Sequence, residues 1–214
     1  MKFQILILCL ALNVKTFSQS FEGILRFKQY VKSTSGQINL SDLKLDSLTI
    51  IEVYIKGDSI LWNRLNPSHQ AVKRSGLKID CQEYMINHET REIKKAIYPP
   101  SAACYEGNFT SRSLRQKEKK SKLNPYTIFE STSKSKAEHG LFWIDDSYRF
   151  SQSTNNALVF KNIGLVVKSK IESTMLIVET ELLEARPQKL DADIFAMPSG
   201  FIFSEFHAPA IFLN

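Results

Sequence analysis

The residue types that most often carry catalysis or bind metal ions are few and scattered in this chain. Its four histidines, His69, His88, His139 and His207, lie in turns or near the ends of strand-like segments. No H-x-H or H-E-x-x-H spacing brings two of them together, as a zinc site commonly requires. The sequence also lacks a G-x-S-x-G nucleophile motif and a G-x-x-x-x-G-K-[ST] phosphate loop. It therefore predicts no enzyme, cofactor or metal site, and we expect the histidines to be solvated.

A neighbouring pair of carboxylates, Asp145 and Asp146, could in principle act as a general acid and a general base. Adjacent residues of a strand point to opposite faces, so these two carboxylates are not expected to converge. A turn is the predicted structure at this position.

The first 18 residues, MKFQILILCLALNVKTFS, have the pattern of a secretory signal peptide. Lys2 supplies a short positive region, an apolar run extends from Phe3 to Leu12, and small residues stand at Thr16 and Ser18. We predict cleavage after Ser18, a periplasmic or secreted location, and one domain over residues 19–214. A retained anchor is the alternative, although a bilayer span needs ~20 apolar residues.

Cleavage would leave two cysteines, Cys81 and Cys104. An even pair in an exported chain predicts a disulfide. The bridge would close a loop of about 23 residues and would stabilise the fold by ~3 kcal/mol. The alternative is a pair of free thiols buried in the core. Two cysteines alone are too few ligands for a structural metal site.

A basic segment stands out between residues 112 and 122, where six basic residues accompany a single acid, Glu118. One interpretation is docking on an anionic surface such as a lipid headgroup, where each charge contributes ~1 kcal/mol. The other is a solvated loop or a short charged helix. No aromatic residue interleaves the run, which argues against stacking on single-stranded nucleic acid. The six residues are Arg112, Arg115, Lys117, Lys119, Lys120 and Lys122.

Net charge gives little support for a nucleic-acid partner. The chain carries +6, and loss of Lys2 and Lys15 with the signal peptide would lower this to +4. Such a mild excess suits an exported protein near anionic surfaces and is weak support for binding nucleic acid.

The secondary-structure elements that carry these candidate residues are predicted to be β-strands. In SFEGILRFKQYVK, apolar residues such as Leu25, Phe27 and Val31 fall on one face, and charged residues fall on the other. LTIIEVYIKGDSILWNRL repeats this alternation on both sides of a Gly57-Asp58 turn. About ten such segments and at most two short helices can be recognised along the chain. We therefore predict a mainly β protein: a curved antiparallel sheet that forms a half-open barrel, with one or two short helices.

A curled sheet with one apolar face must either fill its interior with side chains or hold an apolar ligand. The first alternative makes these side chains an ordinary packed core, and the second makes them the lining of a ligand cavity. The candidate lining residues are Leu25, Phe27, Ile51, Val53, Ile55, Trp62, Phe142, Val166, Leu176 and Val178.

Ordered pieces of the chain resemble a family of small exported Gram-negative proteins with a domain of unknown function. The pieces are FEGILRFKQYV, VYIKGDSI, LFWIDDSYRF and the long terminal stretch from KNIGLVVKSKI to FAMPSGF. That stretch ends in a closing segment with the spacing F-x-x-P-x-G-[FY], formed here by Phe195, Pro198, Gly200 and Phe201. Residues 204–214 extend beyond the resemblance.

The resemblance implies a fold like that of the periplasmic lipoprotein carriers (LolA/LolB-like), in which a half-barrel holds acyl chains. No carrier motif matches this sequence residue by residue, so no carrier residues are transferred. The leading hypothesis is an exported, non-enzymatic protein that binds a lipid-like or other apolar ligand, such as a lipoprotein acyl chain. The alternative is a cell-envelope structural or interaction module that docks anionic surfaces through residues 112–122. An enzyme with an unrecognised site is the third hypothesis.

Overall fold

The computed structural model describes residues 20–34, 40, 46–65, 72–98, 109–133 and 136–207. Thirteen strands of these residues form one sheet, and a single four-residue 3-10 helix accompanies them. The predicted mainly β class is confirmed. The predicted signal peptide and its cleavage site lie outside the described residues.

The strands follow one another closely along the chain. They are β1 (Gly23–Ser33), β2 (Leu48–Lys56), β3 (Ser59–Leu65), β4 (Val72–Ile79), β5 (Gln82–Asn87), β6 (Glu92–Ile97), β7 (Arg115–Glu118), β8 (Thr127–Thr132), β9 (Glu138–Asp145), β10 (Val159–Phe160), β11 (Gly164–Ser173), β12 (Leu176–Pro187) and β13 (Ile202–His207). The 3-10 helix spans Ala192–Phe195.

The sheet is open, with β13 at one edge and β7 at the other. Its order is β13-β6-β5-β4-β3-β2-β1-β12-β11-β9-β8-β7, and the short β10 pairs with β11. All neighbours run antiparallel except β13, which lies parallel to β6. The predicted antiparallel architecture therefore holds over most of the sheet, and the last strand departs from it.

Alternation of burial divides the sheet into two faces. In β2 the residues at odd positions, Thr49 to Ile55, are buried, and those at even positions are half-buried. The side that carries Leu25, Phe27 and Val53 is here called the front face, and the opposite side the back face. Gly57 turns β2 into β3 with a φ of 54°, as tight hairpins require.

The front face is covered by the segment 146–163. Phe150, Leu158 and Val159 of this segment pack in one cluster with Leu25 and Phe27. Hydrogen bonds anchor the segment to the hairpin between β2 and β3: the Ser151 hydroxyl donates to the Gly57 carbonyl (2.7 Å), and the Gln152 amide donates to the Asp58 carbonyl (2.6 Å). The covering segment is thus held at the end of the hairpin.

The back face of β3 to β6 is covered by residues 188–201. Leu190 and Phe195 pack with Leu77, Ile86 and Ile93. The closing segment that carries the resemblance lies here, because Phe195 is buried in this cluster and Phe201 packs against it. The closing segment therefore has a packing role.

The turn between β4 and β5 differs from the structure that the sequence predicts. The stretch LKIDCQEYMI predicts a strand that runs through Cys81. Cys81 instead lies in a two-residue turn, in which both Asp80 (φ 46°) and Cys81 (φ 68°) have positive φ. This geometry normally favours Asn-Gly, so Asp-Cys gives no turn signal in the sequence. Cys81 is disulfide-bonded. Its pairing with Cys104 stays a prediction, because Cys104 lies outside the described residues.

Candidate functional site

Strand register places two dissimilar rows of side chains next to each other on the front face of β3 to β6. One row is Trp62, Gly76, Met85 and Lys94, residues that are direct cross-strand neighbours. The second row, one pleat further along, is Arg64, Arg74, Asn87 and Glu92. A largely apolar row thus runs beside a charged row across four strands.

The two rows enclose a groove with a volume of about 300 Å³, called here the front groove. A second cavity of about 190 Å³ adjoins it, with Trp62 and Met85 contributing to both. Thr154 and Asn155 of the covering segment close this second cavity. The front groove is lined by Trp62, Arg64, Arg74, Ser75, Met85, Ile86, Asn87, Glu92 and Lys94.

The position of Trp62 depends on its cross-strand neighbour Gly76. A Cβ atom added at Gly76 would lie 2.2 Å from two atoms of the indole ring. The ring therefore lies directly against the backbone of β4, which only a residue without a side chain permits. Gly76 is the reason that an aromatic surface forms the floor of the groove.

Arg64 is held in place by a chain of buried polar groups. Its guanidinium donates to the Gln29 side-chain carbonyl (2.8 Å), and the Gln29 amide donates to the Thr180 hydroxyl (3.3 Å). Burial lowers the pKa of Arg64; the Asp46 carboxylate opposes this shift and the Arg74 cation adds to it. An arginine keeps its charge despite such a shift, so the groove presents a fixed, partly desolvated cation.

A buried ion pair lies beside the second cavity, one pleat from Trp62. Lys78 and Glu83 are direct cross-strand neighbours, and their charged atoms are 3.8 Å apart, with side chains only 7% and 11% exposed. The Tyr98 hydroxyl donates to Glu83, and the Lys78 ammonium donates to the Ser153 carbonyl (3.5 Å). Glu83 Oε1 lacks a hydrogen bond but faces the ammonium at the longer ion-pair distance. This network ties β4 and β5 to the covering segment.

Of the ten residues predicted to line a ligand cavity, Trp62 lines the front groove. Leu176 and Val178 are half-buried, and their register with β1 places them on the front face. The other seven are buried in two packed clusters on that face. They are Leu25, Phe27, Ile51, Val53, Ile55, Phe142 and Val166.

All six residues of the basic segment are exposed, but the segment is neither a plain loop nor a helix. Part of it forms the edge strand β7. Lys117 lies 3.8 Å from Glu130, and Lys120 lies 2.8 Å from Asp146, which holds the pKa of that carboxyl below its ordinary value. The structure thus pairs two of the six cations with acids and places Arg112, Arg115, Lys119 and Lys122 at the surface.

Of the two neighbouring carboxylates at the end of β9, only the second lies in a turn. Asp145 is the last residue of β9, and Asp146 begins the turn that follows. Asp145 accepts from the Ser147 hydroxyl (2.6 Å), whereas Asp146 accepts from the Lys120 ammonium. The two carboxylates thus have separate partners.

A serine–histidine contact is the arrangement closest to nucleophile chemistry. Ser75 Oγ lies 2.8 Å from His88 Nε2, and the same hydroxyl donates to Asn63 Oδ1 (2.7 Å). Because Ser75 has one proton and gives it to Asn63, His88 must donate to Ser75 in this arrangement. That polarity is the reverse of a general base.

His88 also packs edge-on against the Phe201 ring, with the ring centroids 5.8 Å apart. The prediction of a solvated turn histidine therefore misses the two contacts of His88, whereas His139 and His207 are exposed. His69 lies outside the described residues. Among the described residues there is no cluster of three or more His, Cys, Asp or Glu side chains that could hold a metal ion.

Within the described ranges, no helix has the length and hydropathy of a membrane span. No family model matches the chain. The resemblance to the domain-of-unknown-function family therefore stays a hypothesis.

Three solved structures show distant likeness. An uncharacterised conserved protein from Thermus thermophilus has a TM-score of 0.48 at 8% identity, and the match covers 96% of this chain and 100% of that one. PNGF-II has a TM-score of 0.40 at 15% identity over 86% of this chain and 31% of its own. LprF from Mycobacterium bovis has a TM-score of 0.31 at 9% identity over 80% of this chain and 90% of its own. These scores are too low to assign a family or a function.

Proposed function

We propose that this protein is an exported, non-enzymatic β-protein that binds one small lipid-like or other apolar ligand in the front groove. The observation that carries the proposal is the row of Trp62 and Met85, two large apolar side chains that line an open concavity. Met85 leaves 51% of its surface exposed beside the indole ring. Contiguous exposed apolar surface in a concave site is typical of ligand binding.

The size of the groove limits the ligand. Small-molecule sites occupy about 300–1,000 Å³, and the front groove, at about 300 Å³, lies at the lower end of that range. The adjoining cavity of about 190 Å³ offers room for an apolar chain to extend beneath the covering segment. One alkyl chain or one ring system fits this space better than the several chains of a whole lipid anchor.

A single-tryptophan protein tests the proposal directly. The chain has two tryptophans, and Trp143 lies outside the groove, so the Trp143→Phe variant reports on Trp62 alone. Titration with 1-decanol should shift the emission of Trp62 to shorter wavelength in a saturable manner. The matched variant Trp62→Phe, which keeps Trp143, should show no such shift. If neither 1-decanol nor its anionic analogues decanoate and decyl phosphate gave a saturable change in the Trp143→Phe protein, the proposal would be wrong.

The alternative, docking on anionic surfaces through the basic segment, depends on the four surface cations that have no acidic partner among the described ion pairs. Replacing Arg115, Lys119 and Lys122 with glutamine should weaken binding to vesicles containing phosphatidylglycerol and reduce its salt dependence. Unchanged vesicle binding would remove this alternative.

A further inference from the structure

The charged row of the front groove remains unexplained by a purely apolar ligand. Arg64 and Arg74 are direct cross-strand neighbours on the same face of β3 and β4. Like charges at such positions destabilise a sheet. Lys94 adds a third cation to the lining, against the single carboxylate of Glu92.

The acids near this row do not neutralise it. Glu92 accepts a hydrogen bond from the Thr90 hydroxyl (3.1 Å) and lies on β6, two strands away from Arg74. Asp46 attracts Arg64, yet burial still lowers the pKa of that arginine. Within the part of the chain that the structure describes, Arg74 and Lys94 make no ion pair. The groove therefore holds a net excess of positive charge beside its apolar floor.

From this juxtaposition we infer that the ligand of the front groove is amphipathic, with an anionic head that binds Arg64 and Arg74 and an apolar tail that lies on Trp62 and Met85. The inference rests on the proposed function and names the chemical class of the ligand. Guanidinium groups bind carboxylates and phosphates through two parallel hydrogen bonds. An oxyanion between the two arginines would also remove their mutual repulsion.

Gln29 is the positioning residue of this head-group site. Its side-chain carbonyl accepts one N–H of the Arg64 guanidinium and leaves the remaining N–H donors for a ligand. The Thr180 hydroxyl in turn fixes the Gln29 side chain. The head-group site is therefore preorganised by residues of β1 and β12, outside the four strands that form the groove.

Three ligands that share one tail test the inference: decanoate, decyl phosphate and 1-decanol, each titrated into the Trp143→Phe protein at low salt. Both acids should bind at least tenfold more tightly than the alcohol, and a preference between them identifies the head group. In the same background, Arg74→Gln should weaken acid binding about tenfold and leave the affinity for decanol unchanged. The matched control Arg186→Gln removes an exposed arginine outside both the groove and the basic segment, and it should alter neither.

The outcomes separate this inference from the proposed function. Equal affinities for the acids and the alcohol, or an unchanged acid preference in Arg74→Gln, would overturn the inference and leave the proposed function standing. If none of the three ligands bound, both would be wrong.

Discussion

At the scale of individual residues, the contact of the Trp62 ring with the backbone at Gly76 determines the shape of the groove. We expect Gly76→Ala to displace the indole ring, because the added methyl group would lie 2.2 Å from ring atoms. Overpacking of this kind typically costs about 1–3 kcal/mol. Urea unfolding should show the loss, and Trp62 emission in the Trp143→Phe background should change even without ligand.

Another glycine provides the control for that substitution. Gly57 has a φ of 54°, and no atom lies within 4 Å of the place where its Cβ would stand. Gly57→Asn should therefore be nearly neutral, since asparagine tolerates this conformation. If Gly76→Ala left both stability and emission unchanged, the indole would not be seated on β4 as described.

The buried pair of Lys78 and Glu83 makes a second prediction for individual residues. Lys78→Met should lower the free energy of unfolding by about 3–5 kcal/mol, because it leaves a buried carboxylate without its cation. The double variant Lys78→Met/Glu83→Gln should be more stable than Lys78→Met alone, since the neutral amide still accepts from Tyr98. Equal losses in the single and double variants, measured by chemical unfolding, would show that the two side chains are not coupled.

Residue types alone could identify only part of the groove. Trp62 is recognisable as a lining candidate because it continues the apolar alternation of β2 and β3. Arg64 and Arg74 are not, because their adjacency depends on the register between β3 and β4. Residue types do not fix that register, and a shift of one residue would move these side chains to the opposite face of the sheet.

At the scale of secondary-structure elements, the position of β7 at the edge of the sheet explains why its side chains are charged. All four of its residues are exposed, and it is the last strand of an open sheet. Charged side chains on such an edge prevent pairing with strands of other molecules. The basic segment thus protects the edge whether or not it also binds an anionic surface.

Replacing Arg115 and Lys117 with valine should therefore promote self-association of the protein. The loss of the Lys117–Glu130 ion pair should itself matter little, because exposed pairs contribute about 0–1 kcal/mol. A control variant, Arg112→Val/Lys122→Val, removes the same number of charges from positions outside the strand. Light scattering should detect association of the first variant only, and equal behaviour of the two variants would refute the protective role.

The strands themselves were largely predictable, and the exceptions have physical reasons. Period-two alternation predicts β1 and β2, where one face is buried, and β3, where Ile60 is buried and the other residues are half-buried. β13 pairs in parallel with β6 although its sequence gives no sign of it, since apolar residues with Pro198 and Gly200 nearby suit a loop equally well. The choice of a partner so distant along the chain is a tertiary effect that local pattern does not encode.

At the scale of the whole molecule, the chain segments that pack on the sheet explain why most residues predicted to line a cavity are buried in the core. The segment 146–163 covers the front face over β1 and β2, where Phe150, Leu158 and Val159 pack against it. The groove persists over β3 to β6, where Trp62 and Met85 line it. The sequence predicts an apolar face, but it does not predict how far the protein's own chain covers that face.

The measurement that tests the central claim most directly is methyl NMR on protein with ¹³C-labelled methionine. Met85 lies in the groove, and Met175 and Met197 provide internal controls, because the three side chains are 51%, 53% and 37% exposed. On addition of decanoate, the methyl resonance of Met85 should shift in a saturable manner, while those of Met175 and Met197 stay in place. An unmoved Met85 resonance at saturating decanoate, or equal shifts of all three, would contradict the assignment of the front groove as the ligand site.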